Sequence, residues 1–390
     1  MESTPTLQAA ERLVPSLLED LRAIVDIDSG SYTPAGVAAV ANVLEPHLAA
    51  LGAAVERAPG RALGPSLVAR FSGDGQGRVL LIGHMDTVFP DGEVAARPFR
   101  ITDGRAHGPG VLDMKGGLLV GLYALRLLRE AGEAPFAALT FILNSDEEIG
   151  SPESRELIGA AAHEADVALV LEPTSDVERL TVARKGVGMY RLAVEGVSAH
   201  AGVEPRKGRS AILELAHKII AVHAINNGAH DGLTLNVGVV TGGERPNVVP
   251  DHAEVEIDIR VISPEQIERI EAELRHIAET ATIEGTSGSL AGSFAHRPFQ
   301  QSEAAKQLFA LAAEEARTLG LALRGEPTGG GSDGNTAAAL GVPTLDGLGP
   351  AGGKAHNPGE YVEIASLAPR IALLTGLLRR LGAGELPASA

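Results

Sequence analysis

The sequence predicts an α/β protein in which a mostly parallel sheet flanked by helices is interrupted by an inserted α+β domain. Short, mostly apolar segments at 78–83 (RVLLIG), 137–143 (AALTFIL) and 166–171 (DVALVL) alternate with segments of helical spacing. Strands buried on both faces give such continuous apolar runs, and intervening helices favour parallel pairing. A length of 390 residues also exceeds what one ordinary core accommodates, so two domains are expected.

The first half of the chain supplies the helices of this sheet. Helical spacing covers about 9–25, 36–51 and 116–130. In the last of these, Leu118, Leu122, Leu125 and Leu128 fall on one face, as in a helix that packs on a sheet. The alternation resumes from about residue 301, and a final helix is expected near 364–381.

The middle of the chain has a different pattern. Segments 189–194, 233–240 and 254–260 are predicted strands, and in the third Val255, Ile257 and Ile259 alternate with charged residues. Such alternation is typical of a sheet with one wet face, and helices at 211–225 and 264–280 are expected to cover the other. We therefore predict one α/β domain formed by 1–184 and 299–390, interrupted by an inserted α+β domain, the lid, at 185–298.

Composition excludes several classes of function. The net charge of −17 repels phosphate backbones, and aromatic residues are 3% of the chain, so no nucleic-acid partner is expected. With no cysteine, any metal must be held by His, Asp and Glu. The first residues, MESTPTLQAAERL, lack a basic start and an apolar run, and no segment is long enough to span a membrane. A soluble, cytoplasmic protein without membrane association is the expectation.

Candidate site residues follow the predicted strands. His84 and Asp86 in GHMDTV come directly after the first, where the carboxyl ends of strands in open α/β sheets form ligand sites. Residues i and i+2 of an extended segment point the same way, so one can bind a metal and the other orient it. A polar turn is the alternative. Asp113, in GPGVLDMKGG, is either a carboxylate held in a tight place or a simple helix N-cap.

Further acids and a histidine occur at comparable positions. Glu147 and Glu148 in NSDEEIGS follow an apolar strand, and if that segment is extended, one can bind a metal while the other faces a water. A solvated acidic turn is the alternative reading. Glu172 ends a third apolar strand, and His356 precedes the last helix in AHNPGEYV. So many carboxylates together would not ionise without cations, and two metal ions that share one carboxylate resolve the problem.

These motifs, in this order and at these separations, resemble a family of two-zinc hydrolases. It contains carboxypeptidase G (glutamate carboxypeptidase), aminoacylase, acetylornithine deacetylase and succinyl-diaminopimelate desuccinylase, and the motifs here resemble carboxypeptidase G most. The resemblance covers nearly the whole chain and implies a zinc-exopeptidase fold with two Zn²⁺ per subunit. It implies that Asp113 bridges the ions and that Glu147 is the general base. It further implies that one ion is also bound by His84 and Glu172, and the other by Glu148 and His356. Asp86 is implied to orient His84.

The same resemblance assigns roles to the lid. It implies that His200 stabilises the oxyanion and that Asn247 lies near the substrate. Six basic and two acidic residues between 184 and 209 stand out in an acidic chain, and arginine suits a carboxylate. Arg260 and Arg297 are further candidates for substrate binding, as is Ser332 in the loop GGGSDGN, where backbone N–H groups can meet a carboxylate.

The expected function is hydrolysis of the amide bond to a C-terminal amino acid, on small anionic peptides or N-acyl amino acids. Co²⁺ or Mn²⁺ can substitute for zinc at sites built from O and N ligands. The lid sheet is expected to have an open edge that pairs with a second copy in a homodimer. Two alternatives stay open: an N-acyl-amino-acid deacylase with the same machinery, and a metal-binding scaffold without catalysis.

Overall fold

The chain forms two compact units in the computed structural model, which describes residues 4–225 and 232–387. Unit 1 comprises residues 1–183, 300–328 and 332–390. Unit 2 comprises residues 184–299 together with 329–331. Each unit has its own hydrophobic core.

Unit 1 begins with two helices, the first of which has a side-chain N-cap, and continues as alternating strands and helices. Thr4 accepts a hydrogen bond from the Leu7 N–H, which satisfies one free amide at the start of the first helix. The elements up to the crossing into unit 2 are α1 (Pro5–Val25), α2 (Pro34–Ala50), β1 (Ala54–Ala58), β2 (Ser66–Ser72), β3 (Gln76–His84), α3 (Glu93–Ala96), β4 (Arg100–Thr102), β5 (Arg105–His107), α4 (Gly117–Glu130), β6 (Phe136–Asn144), α5 (Arg155–His163), β7 (Val167–Val170) and β8 (Arg179–Arg184).

Unit 2 is built on a four-stranded antiparallel sheet. Its elements are β9 (Gly186–Glu195), β10 (Ala199–His200), α6 (Ala211–Ile225), β11 (Thr234–Gly242), β12 (Val248–Val249), β13 (His252–Val261), α7 (Pro264–Glu279) and β14 (Ser287–His296). The strand order is β11-β13-β9-β14, and β10 pairs with β12 as a separate ribbon. The alternating strand β13 is thus interior, and the two edges are β11 and β14.

The chain then returns to unit 1. The remaining elements are α8 (Glu303–Thr318), β15 (Arg324–Thr328), α9 (Gly334–Ala339), β16 (Thr344–Leu345), β17 (Gly352–Gly353), β18 (Tyr361–Glu363) and α10 (Leu367–Gly382). The main sheet of unit 1 has the order β1-β2-β6-β3-β7-β16. Its pairs from β6 to β16 are parallel, and the pairs that add β2 and β1 are antiparallel.

Helices cover both faces of the main sheet, which explains why its central strands β3, β6 and β7 are mostly apolar. In β3, Val79 and Leu81 pack into the larger core, whereas Leu80 and Ile82 pack into the smaller core that contains α5 residue Ile158. Residues that alternate along a strand point to opposite faces, so both sets must be hydrophobic. The predicted fold class is confirmed. Among the described residues, no helix is long and apolar enough to cross a membrane.

Candidate metal centre

The carboxyl ends of three parallel strands meet at one edge of the unit 1 sheet. The register pairs His84 of β3 with Asn144 of β6, and Ile82 of β3 with Val170 of β7. The segments that follow these strands therefore start side by side, as expected for a ligand site in an open α/β sheet. They carry the predicted site residues His84, Asp86, Glu147, Glu148 and Glu172.

Asp113 enters the same edge from a distorted turn. It lies in the π-helical turn Val111–Gly116, with non-helical dihedral angles of −112° and 98°, so the alternative of a simple helix N-cap is wrong. The Asp113–Met114 peptide bond is cis. A Cβ on Gly117 would lie 2.0 Å from the Leu171 carbonyl oxygen, so only glycine allows α4 to begin this close to the end of β7.

Two groups of three side chains share Asp113. His84, Asp113 and Glu172 form one group, and Asp113, Glu148 and His356 form the other; within each, the candidate ligand atoms lie within 4.8 Å of one another. His84 Nε2 is 3.3 Å from Asp113 Oδ1, and His356 Nε2 is 3.1 Å from Asp113 Oδ2. Each oxygen of one carboxylate thus faces a different histidine, as a bridging ligand between two ions requires.

Two atoms in these groups fit a metal better than a hydrogen bond. Among the buried side-chain atoms that the structure describes, His84 Nε2 and Glu148 Oε1 are without a hydrogen-bond partner. His84 Nδ1 lies 2.9 Å from the Asp86 backbone oxygen, and if Nδ1 donates there, the Nε2 lone pair is left for a ligand. Buried polar atoms without partners are rare because they cost free energy, so their presence here supports metal binding.

The electrostatics of the chain itself show how negative this cluster is. Hydrogen bonds to Asp113 and Glu148 raise the pKa of His356 to about 10. Burial opposes the charged form of His84, but the adjacent carboxylates of Asp113 and Asp86 outweigh it and raise its pKa well above the usual value. Without metal, both histidines are therefore drawn toward the cationic form. The cluster attracts positive charge, which divalent cations supply.

Asp86 contacts both His84 and the turn that carries Glu147 and Glu148. Its carboxylate is fully buried and accepts hydrogen bonds from the Ser31 hydroxyl at 2.6 Å and from the Glu147 and Glu148 amides at 3.2 Å each. Its Oδ1 is 3.3 Å from His84 Nδ1. One carboxylate therefore fixes the backbone of both glutamates relative to His84.

Glu147 belongs to neither group of candidate ligands. The segment Glu147–Ile149 is a 3₁₀ turn, so the expectation of an extended chain here is wrong, and the turn is what directs the two glutamates differently. Glu147 Oε2 lies 4.0 Å from His84 Nε2. Burial, followed by the charge of Glu172, raises the pKa of Glu147 well above its ordinary value, in the direction that suits a general base.

The predicted lid residues of unit 2 fall into two pairs. His200 in β10 pairs with Val248 in β12, and the Ala201 amide donates to the Asn247 carbonyl, so His200 and Asn247 are neighbours. His200 is exposed, and its Nδ1 accepts from the Gly202 and Val203 amides. The hydrogen of the neutral ring is then on Nε2, which leaves that atom as a donor.

Arg260 and Arg297 lie at the other end of the unit 2 sheet. Arg260 pairs with Val187, which pairs with His296, the residue before Arg297. The Arg260 guanidinium makes two hydrogen bonds to Asp258, at 2.9 and 2.8 Å. A substrate carboxylate at Arg260 would have to compete with Asp258. Arg297 is exposed.

Ser332 is buried inside unit 1. Its hydroxyl donates to Asp346 at 2.6 Å and accepts from the Gly334 amide at 3.1 Å. The next residue, Asp333, accepts from Ser151 and Asn144, and so fastens the loop that carries the two glutamates. The side chain of Ser332 is thus engaged within its own unit, and the role predicted for it in substrate binding stays a prediction.

Sequence reasoning missed Glu360, which organises the turn of Asp113. This buried carboxylate accepts hydrogen bonds from the amides of Gly110 at 3.1 Å, Leu112 at 2.7 Å and Asp113 at 2.9 Å. Burial raises its pKa to about 7. Glu360 follows His356 by four residues, so it ties the histidine loop to the Asp113 turn. The signal was in AHNPGEYV, where this acid reads as one more surface glutamate.

Comparisons with known proteins agree with this geometry. Residues 80–380 match the model of peptidase family M20/M25/M40. The chain is 33% identical to carboxypeptidase G2 from Pseudomonas sp. (strain RS-16), over 97% of this chain and 92% of that protein. It is 29% identical to acetylornithine deacetylase from Myxococcus xanthus, over 68% of this chain and 72% of that protein. The crystal structure of a tripeptidase from Staphylococcus aureus superposes with a TM-score of 0.79 at 25% identity, covering 96% and 98% of the two chains.

These matches cover both units and all the motifs that supply the shared Asp113 and its flanking ligands. The expected family relationship is confirmed, and with it the expectation of an enzyme. The alternative of a metal-binding scaffold without catalysis is therefore wrong. The chain belongs to peptidase family M20/M25/M40 and is a metal-dependent hydrolase.

Proposed function

We propose that the enzyme is an exopeptidase that hydrolyses the amide bond to a C-terminal amino acid, as a carboxypeptidase of the glutamate-releasing type. The observation that carries this proposal is that two groups of candidate ligands share Asp113. Glu147 lies beside these groups but belongs to neither of them. The similarity to carboxypeptidase G2 along nearly the whole chain supports the direction of cleavage.

Two Zn²⁺ ions per subunit are the proposed cofactors, with Co²⁺ or Mn²⁺ as substitutes. His84 and Glu172 would hold one ion, Glu148 and His356 the other, and Asp113 both. When bound, the ions supply Lewis acidity toward the scissile carbonyl and lower the pKa of a water. No cysteine is present, so oxygen and nitrogen atoms are the available ligands.

Glu147 is proposed to carry the proton. A base must take a proton from the attacking water and return it to the leaving amine. Glu147 is partly buried beside the ligand groups, and its raised pKa lets it hold that proton between the two events. Asp86 keeps its backbone in place through the Glu147 amide.

The free carboxylate of the substrate needs a positive partner. Arg297 is our first candidate, and Asn247 and Arg260 are further candidates. The loop that contains Ser332 is proposed to supply backbone N–H donors. Arg297→Ala should raise KM strongly for acids and much less for the matching amides, because the charge pair is lost only with the acids. Equal losses on acid and amide would assign Arg297 a structural role.

We propose that the enzyme is a homodimer whose interface is the exposed β11 edge of the unit 2 sheet. Strand β11 is an edge strand, and it presents Val239 and Val240 at 46% and 60% exposure. Ile212 and Ile220 of α6, which packs on β11, are exposed as well, at 45% and 69%. An apolar edge of this kind tends to be paired, and pairing with a second copy is self-complementary.

The separation of the two lid pairs suggests how a dimer would work. Arg260 and His252 lie at opposite ends of β13, about 26 Å apart at about 3.3 Å per residue. His200 and Asn247 are near the His252 end, because β12 leads directly into β13. A small substrate cannot touch both ends of this sheet. Both pairs can serve one substrate only if they come from different subunits, and we propose that His200 acts in the partner's site.

Mixed dimers test this proposal. Exchange of His200→Ala subunits with Glu147→Gln subunits should restore up to about a quarter of wild-type activity, because about half of the dimers are mixed and each has one intact site. No recovery after confirmed subunit exchange would place His200 in its own subunit's site. A fully active monomer would contradict the dimer.

The second candidate is an N-acyl-amino-acid deacylase, favoured by the similarity to acetylornithine deacetylase. A screen separates the two: dipeptides that end in glutamate and other residues against N-acetyl amino acids, with zinc and with cobalt. The carboxypeptidase proposal predicts the highest kcat/KM for substrates that release glutamate. Preference for N-acetyl substrates regardless of the released residue would favour the deacylase. Glu147→Gln protein serves as the control for contaminating hydrolases.

A further inference from the structure

His356 differs from the other candidate metal ligands in its exposure, and it lies in the loop 354–360 that joins β17 to β18. Its side chain is 54% exposed, against 14% or less for the other four candidate ligands. We propose that Arg97 is a positioning residue for this loop, and that it fixes His356 for the ion that Glu148 and His356 would hold. The inference rests on the proposed two-ion centre and assigns a residue outside both ligand groups to one of the two ions.

The His356 loop has a backbone shape that its surroundings must hold. Lys354 and His356 have φ angles of 60° and 59°, in the left-handed region that residues other than glycine adopt uncommonly. Such a conformation costs free energy and persists only where the surrounding structure fixes it. Residues 354–358 are exposed, so little core packing is available to do so. Hydrogen bonds from outside the loop are therefore expected to place His356.

Two parts of unit 1 supply such hydrogen bonds. At the end of the loop, the Glu360 carboxylate accepts from the amides of the Asp113 turn. Closer to the histidine, Arg97 Nη1 donates to the Pro358 carbonyl oxygen at 2.7 Å. Pro358 follows His356 by two residues, so a shift of this carbonyl would also shift the histidine.

The Arg97 side chain is held in place by its other contacts. Its Nε pairs with the Glu93 carboxylate one helical turn earlier, and its guanidinium carbon lies 4.7 Å from the centre of the Phe89 ring. A guanidinium that only paired with Glu93 could keep its other N–H groups in water. This one is mostly buried, and its Nη2 has no hydrogen-bond partner among the described residues. Arg97 thus loses hydration in the position from which it reaches Pro358.

The segment that carries Arg97 is anchored on both sides of this residue. Asp28 accepts from two amides at the start of α3, at 2.8 and 2.9 Å. Asp26 accepts from the Phe99 amide at 2.7 Å, two residues after Arg97. Both acids lie just after α1, so Arg97 links the exposed loop of His356 to a fixed part of unit 1.

The effect is expected at one ion. His84 ends β3 and Glu172 follows β7, and both are buried at the edge of the main sheet. Their positions are set by the sheet, whereas that of His356 depends on the loop that Arg97 contacts. Loss of the Arg97 contact should therefore weaken the ion held by Glu148 and His356 and spare the other.

Zinc titrations of the metal-free protein test the inference in wild type, Arg97→Met, His356→Asn and the double variant Arg97→Met/His356→Asn. Competition with a chelator gives the affinity for each ion, and the melting temperature of every metal-free variant is measured. Methionine keeps most of the length of the side chain and removes its donors. Arg105→Met is the matched control, because Arg105 also pairs with a glutamate, Glu363, and lies 4.2 Å from an aromatic ring, that of Tyr361.

We expect Arg97→Met to weaken the binding of one ion about 10- to 100-fold and to leave the other within about twofold of wild type. The double variant should bind its remaining ion as His356→Asn does, because Arg97 acts through His356. Arg105→Met should bind both ions as wild type does, and the two arginine variants should melt at similar temperatures without metal.

Two results would overturn the inference and leave the two-ion centre standing. One is wild-type affinity for both ions in Arg97→Met, which would show that the loop places His356 without this contact. The other is a weakening of both ions by Arg97→Met that persists in the double variant, which would assign Arg97 to the stability of unit 1 in general. Failure of wild type to bind zinc would overturn the proposed metal centre, and this inference with it.

Discussion

Each unit buries charged side chains, and the two groups differ in how they are satisfied. In unit 2, Lys218 and Glu214 are 3% and 0% exposed and lie 3.0 Å apart. Lys218 donates to three backbone carbonyls at the end of α7, and Glu214 accepts from the Thr282 and Ile283 amides. The two charges of this pair balance each other, and the pair stabilises the fold of unit 2.

The metal centre of unit 1 is the opposite case. Its carboxylates meet two histidines, and buried atoms of His84 and Glu148 have no hydrogen-bond partner. Lys115, the buried lysine nearest in sequence to Asp113, donates to the Ile27 carbonyl. Buried charge that is complete in itself indicates a structural role, whereas buried charge that lacks a counter-ion indicates a site for one.

The largest effect that we expect separates the base from the ligands. Glu147→Gln should lower kcat by roughly 10²-fold or more while both metals stay bound, because only the proton carrier is lost. Glu148→Gln should lose metal. Metal content and kcat of both purified variants decide this. If Glu147→Gln loses the metal and Glu148→Gln keeps it, the two roles are reversed.

The next effect concerns the buried pair of unit 2. Lys218→Met leaves Glu214 buried without its cation and should lower the free energy of unfolding by about 3–5 kcal/mol, with metal content unchanged. Urea denaturation measures it. Lys306→Met is the matched control, because the Lys306–Glu303 pair is exposed and should contribute less than about 1 kcal/mol. Equal losses in both variants would remove the distinction between the buried and exposed pairs.

Glu360 sharpens the comparison within unit 1. Glu360 accepts from the Gly110 amide with one oxygen and from the Leu112 and Asp113 amides with the other. Glu360→Gln replaces one of these acceptors with a donor and should weaken metal binding about 10- to 100-fold. Glu363→Gln, an exposed acid of the same region that pairs with Arg105, is the control. Competition with a chelator gives the affinities. Unchanged affinity in Glu360→Gln would show that the turn keeps its shape without this carboxylate.

The last effect is a pH dependence. Below about pH 10, His356 of the metal-free chain carries a proton that must leave before the metal binds. The apparent metal affinity should therefore rise with pH, by about tenfold per unit between about 7 and 9 from this residue alone. The effect of His356 on the stability of the metal-free fold has the opposite dependence on pH. The stabilisation by protonated His356 is complete below about pH 6.5 and is lost as the pH rises toward 10. In His356→Asn, the slope of affinity with pH should fall by one proton.

The fold was predictable where the pattern of side chains was strong. The apolar strands that became β3, β6 and β7 and the alternating strand β13 were all legible, because burial on two faces or on one leaves different periodicities. Strand β14 was missed: its sequence, SGSLAGSFAH, consists mainly of small residues and has no clear period. The antiparallel pair β1 and β2 was missed for a related reason, since the half-exposed β1 lacks an apolar run.

The site was predictable as a set of residues but not as a geometry. Motif order brought forward the five candidate ligands and Glu147. The π-helical turn at Asp113 is followed by the close approach of Gly117 to Leu171, and the 3₁₀ turn at Glu147 is held by Asp86. In both pairs the two residues are distant in sequence. Glu360 and Asp333 escaped notice because a buried acid and a solvated acid look alike in sequence. Only the backbone amides and side chains that reach them reveal their roles.

The most direct test of the central claim is a count of metal ions. Metal-free protein is titrated with Zn²⁺, and bound zinc and hydrolytic activity are followed together for wild type, Asp113→Asn and Lys218→Met. We predict two ions per chain for wild type and for Lys218→Met, with activity recovered as they bind, and loss of tight binding at both positions in Asp113→Asn because both groups use this carboxylate. Full activity in protein verified as metal-free, or two tightly bound ions in Asp113→Asn, would contradict the account.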